Sequence, residues 1–81
     1  MNHQQRALDV RGMSEAEVIA LPVSIPLEFA NRAIGLGRTL GYAMAKRGEY
    51  PIPVIRLANA YRCRRADLLE YLGIQDRAEA A

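Results

Sequence analysis

The stretch Gly35–Pro51, GLGRTLGYAMAKRGEYP, decides how this chain folds. Glycine stands at positions 35, 37, 41 and 48, a density that suits a loop. Yet Leu40 to Arg47 sets apolar and basic residues at helical spacing. A helix fenced by glycines has a simple physical account. Gly35 and Gly37 permit a sharp turn, and Gly48 supplies the left-handed residue at which a helix stops. Gly41, inside the helix, costs about 1 kcal/mol relative to alanine, a loss that close packing of a neighbouring helix would offset.

On a helical wheel, Leu40, Gly41, Met44 and Ala45 fall on one side and are expected to pack. Arg38, Thr39, Tyr42 and Lys46 fall on the other, with no carboxylate among them. An ordinary surface helix mixes signs, whereas this face is suited to an anion. Arginine pairs bidentately with guanine in the major groove, which admits a helix, and a lysine two turns on suits a backbone phosphate.

Upstream, Pro26 opens a preceding helix in which Leu27, Ala30 and Ile34 make one apolar face and Glu28 sits near the positive end. Helix, glycine turn, helix is the helix-turn-helix outline. Earlier still, Ser14 and Glu17 have capping-box spacing for a short helix that stops near Pro22, followed by extended Val23–Ile25. Downstream, residues 51–65, PIPVIRLANAYRCRR, alternate as two strands. Ala58-Asn59-Ala60 is the expected hairpin tip, with Asn59 at φ > 0. On that spacing Ile55, Leu57 and Cys63 share the inward face, and Arg56, Arg62 and Arg64 the outward one. A last helix, RADLLEYLG, pairs Leu68 with Leu72 and stops at Gly73, where Ile74 folds back.

With 81 residues the chain has room for one domain and a modest core. No apolar run approaches the roughly 20 residues of a membrane span, and the first residues have no signal-peptide character. One cysteine cannot staple the fold, so a reducing, cytoplasmic setting is expected. The net charge of +2 is uneven: residues 27–66 carry eight basic against two acidic side chains, between slightly acidic ends. Such a patch attracts polyanions. Cys63 reads as a small core residue. His3 has no companion for a metal site, and no Ser/His/Asp set or phosphate loop is present. No catalysis and no cofactor are expected. Tyr50, Tyr61 and Tyr71 are expected to pack by their rings.

The segments GLGRT with Tyr42, Arg47–Leu57 (RGEYPIPVIRL) and Ala66–Gly73 (ADLLEYLG) carry a likeness. Over about Ser14–Ile74 the chain resembles the excisionases, or recombination directionality factors, of mycobacteriophages and related actinobacterial elements. These have a winged helix-turn-helix of the MerR type. The resemblance implies an α+β fold of three to four short helices with a two- or three-stranded β-wing. It also implies binding and bending of duplex DNA at repeated attachment-region sites, with an integrase partner; the acidic ends flanking the basic middle add an expectation of self-association along the DNA. The resemblance places Arg38, Thr39, Tyr42 and Lys46 in the recognition helix and Asn59, Arg62 and Arg64 in the wing; Arg47 joins the DNA-contacting set. Two departures stand out. The tip LANAY lacks the usual glycine and has fewer arginines, and Gly41 replaces a larger residue. The expected organisation is an arm over 1–13, the DNA-binding domain over 14–74 and a polar tail over 75–81. The alternatives are a small winged-helix transcription regulator, or an adaptor whose basic face meets an acidic protein.

Overall fold

The computed structural model describes residues 12–75; the expected arm, with His3, and nearly all of the tail lie outside them. A reciprocal capping box starts α1 (Glu15–Ile19). The Ser14 hydroxyl accepts the Glu17 N–H at 3.1 Å, and the Glu17 carboxylate accepts the Ser14 N–H at 2.8 Å. After Pro22 the chain runs extended into β1 (Ser24–Pro26), and Pro26, at φ −64°, is both the last strand residue and the N-cap of α2 (Leu27–Ile34).

Gly35 stops α2 in the left-handed region at φ 94°. There the N–H groups of Gly35 and Leu36 both donate to the Asn31 carbonyl. A turn ending at Gly37 leads into α3 (Arg38–Arg47), which Gly48 closes at φ 75°. The Glu49 N–H then reaches back to the Met44 carbonyl at 2.8 Å, the long bond of a Schellman stop. β2 (Ile55–Leu57) and β3 (Ala60–Arg64) follow, then α4 (Arg65–Leu72). β3 lies between β1 and β2, antiparallel to both. The described residues thus form a small α+β fold of four helices and a three-stranded sheet, consistent with a winged helix.

Val18, Ile25, Leu27, Ala30, Ile52, Cys63, Leu68 and Leu69 form the core, where α1, α2, α4 and the sheet converge. Burial of each large side chain stabilises the fold by about 1.5–3 kcal/mol before ordering costs. Met13 and Ile74, at the two ends of the described chain, pack against this cluster. Arg65, counted in the basic block by sequence, is partly buried and structural. Its Nη1 donates to the Ile19 carbonyl at 2.8 Å and its own N–H to the Val23 carbonyl at 2.9 Å, tying α1 and the approach to β1 onto α4.

Three sequence expectations are corrected. The hairpin tip is two residues, Ala58–Asn59, and the positive φ of 53° belongs to Ala58, not Asn59. That shorter turn shifts the register by one relative to a three-residue tip, and a one-residue slip exchanges faces. Ile55 therefore faces across to Arg62, and Arg56 to Tyr61. Arg56 shares the face of Tyr61, Cys63 and Ile25, while Ile55 and Leu57 share that of Arg62 and Arg64. In α3, Leu40 is 51% exposed instead of packed, and Tyr42 turns inward against the core. Tyr71, expected to pack, is 52% exposed. The Cys63 reading holds, as the residue is fully buried.

Candidate nucleic-acid interface

The position of α3 is set from its inner face. A Cβ built on Gly41 would fall inside the Asn31 carboxamide, with Nδ2 only 2.6 Å away, so only glycine lets α3 approach α2 this closely. Asn31 is 3% exposed and is held in turn by Tyr50, whose hydroxyl donates to Oδ1 at 2.6 Å. Burial pushes the Tyr50 phenol well above its ordinary pKa, with Cys63 and Tyr42 adding in the same sense, so it remains a donor at neutral pH. This knot of Gly41, Asn31 and Tyr50 joins α2, α3 and the segment after α3. Apolar patterning does not reveal it, because its central side chain is polar.

With that face fixed, Arg38, Thr39, Leu40, Lys46 and Arg47 are exposed. The first turn of α3 holds no acidic residue, and Gly37 offers no side-chain cap. The leading N–H groups and the helix dipole are thus available to an anion. The basic residues of the last turn are Lys46 and Arg47, and Arg47 is paired with Glu49 at 2.9 Å.

A ladder of rings and cations runs from α3 to the hairpin. The Arg38 guanidinium lies 6.0 Å from the Tyr42 ring centre, Tyr42 meets Tyr61 at 6.2 Å and 55°, and Arg56 lies 5.7 Å from Tyr61. Cation–π contacts of this length contribute about 0.5–1 kcal/mol at exposed sites. Their larger effect is geometric, since they register the helix to the wing. Between α3 and the wing opens a cleft of about 320 Å³, lined in part by Lys46, Arg56, Tyr50, Tyr61, Ile52 and Val54.

The other wing residues stand apart from that ladder. Arg62 donates from Nε to the Ser24 hydroxyl and from Nη2 to the Ser24 carbonyl, both at 3.0 Å, so it braces β1 against β3. Arg64 lies 3.7 Å from Asp67. Asn59 is exposed at the tip. The sheet register thus puts Arg62 and Arg64 on the face opposite Arg56. Arg38, Thr39, Tyr42 and Lys46 share α3 as expected, whereas Arg56 was assigned to the same wing face as Arg62 and Arg64, and Tyr61 was missed as a candidate site residue. The parity of a two-residue turn would have found them. Comparison of the chain with protein-family models, curated proteins and solved structures returns no match.

Proposed function

We propose that this chain binds duplex DNA without catalysis, laying the exposed side of α3 in the major groove while the hairpin flanks it. One observation carries the reading. Gly41 seats α3 so closely on Asn31 that the inner face is consumed, leaving the N-terminal turn, Arg38, Thr39 and Lys46 on an outer face without a carboxylate. Arg38 suits a guanine edge and Lys46 a phosphate. Leu40, exposed beside Thr39, suits apolar contact with a thymine methyl.

Within this reading the resemblance to excisionases favours an architectural role: adjacent copies bend the DNA and steer an integrase toward excision. One such module covers only roughly 600–1,000 Å², so a bend that redirects recombination requires several copies in phase with the ~10 base-pair helical repeat. The test is a gel-shift series on duplexes bearing one, two and four copies of a site obtained by selection from random duplex, with the site permuted along the fragment. Cooperative occupancy and mobility that varies with site position support the architectural role. Independent occupancy with constant mobility leaves a simple regulator, and failure to select any duplex overturns DNA binding.

A further inference from the structure

We propose that the cleft between α3 and the hairpin is a phosphodiester seat, in which Lys46 and Arg56 hold one backbone phosphate and Tyr61 positions the Arg56 guanidinium. The proposal rests on the DNA-binding reading and names the moiety that this part of the surface takes.

Among the described residues, Lys46 and Arg56 are the charged residues of the cleft wall, and no carboxylate lines it. Among the described residues neither makes an ion pair. Two like charges facing one concavity with low-dielectric walls focus a positive potential into it, and an anion relieves their repulsion. Arg47, Arg62 and Arg64, by contrast, already have partners in Glu49, Ser24 and Asp67.

Arg56 is also pre-ordered. It sits directly across from Tyr61 in the sheet, with its guanidinium 5.7 Å from that ring, and Tyr61 is itself fixed against Tyr42 of α3. A long cation that is stacked before binding loses less freedom when it meets its ligand. The ladder also keeps Arg56, on the wing, in register with Lys46, on the helix. A volume of 320 Å³ is about ten waters, enough for a phosphate and its attached sugar. The apolar wall of Ile52, Val54 and the tyrosine rings suits a deoxyribose face better than the polar backbone of an acidic peptide.

The experiment measures anisotropy of a labelled duplex of about 20 base pairs across roughly 50–200 mM salt. Arg56→Gln is expected to lower affinity about eight-fold at 0.1 M salt and to reduce the log–log salt slope by about one, the counterion-release signature of one lost phosphate. Arg56→Lys keeps the slope. Tyr61→Leu weakens binding in the wild-type background and adds nothing in Arg56→Gln, while Tyr61→Phe binds like wild type. That cycle separates positioning of Arg56 from any general effect on the fold. Wild type that binds duplex, with an unchanged slope in Arg56→Gln, overturns the seat alone. Wild type that binds poly-glutamate but no duplex overturns the DNA-binding reading and the seat together.

Discussion

Gly41→Ala puts two physical terms in direct opposition. Helix propensity alone favours the alanine by about 1 kcal/mol, since Gly41 lies inside a ten-residue helix. The structure demands the reverse. The added methyl would occupy the space of the Asn31 carboxamide, which is 3% exposed and tied to the Tyr50 hydroxyl at 2.6 Å. Relief requires either that α3 move off α2, an overpacking cost of about 1–3 kcal/mol, or that Asn31 swing away. Swinging breaks the hydrogen bond and deprives Asn31 Oδ1 and the Tyr50 hydroxyl of each other, at about 1–3 kcal/mol. Set against the propensity gain, the net effect is destabilisation by up to about 2 kcal/mol. In a domain of this size about 2 kcal/mol lowers Tm by roughly 8–16 °C. Urea unfolding followed by circular dichroism measures it. In the double variant Asn31→Ala/Gly41→Ala the methyl has room, so the two changes should couple favourably by more than about 0.5 kcal/mol. A Gly41→Ala protein stabilised by the full ~1 kcal/mol of helix propensity would refute the knot and with it the account of how α3 is placed.

The other predictions are smaller. Ala58→Gly should stabilise the hairpin by about 1 kcal/mol, because the residue at φ 53° pays a side-chain clash that glycine avoids; thermal melting reads this. Ser14→Ala removes one half of the capping box and should cost about 1 kcal/mol in urea, with duplex affinity unchanged. Burial, with Asp67 adding to it, raises the Cys63 thiol from 9.0 to about 11. A group whose neutral form the fold prefers contributes stability below its unfolded pKa and loses it as pH rises through the folded value. Cys63 should therefore lower stability by about 2 kcal/mol between pH ~9 and ~11, and Cys63→Ala should remove that share of the fall, leaving the part due to Tyr50.

Glycine positions made much of the fold legible. Gly35, Gly48 and Gly73 all stop helices at positive φ, where the spacing of apolar residues ends. The Ser14/Glu17 capping box and the inward Cys63 were equally readable, because each depends on local spacing alone. What was not legible depended on contacts across the fold. The outer and inner sides of the hairpin hinge on whether its turn has two or three residues, and Ala58 gives no sign of taking the left-handed conformation that glycine usually takes. Arg65 resembles its exposed neighbours in sequence, and only the return of α1 against α4 makes its role visible. Tyr42 was expected on the outer side of α3 but turns inward, and its partner Tyr61 joins the candidate site only once the register brings the two rings to 6.2 Å.

The central claim is that α3 and the inner side of the hairpin form a DNA-binding surface, and amide chemical-shift mapping tests it most directly. Isotope-labelled protein is titrated with a short duplex at low salt. The account predicts that the leading amides of α3, those of Arg38 and Thr39, move together with Lys46, Arg56 and Tyr61. The amides of α1 and of the second half of α4 should hold still. No shift at any residue, or shifts confined to α1 and α4, would contradict it.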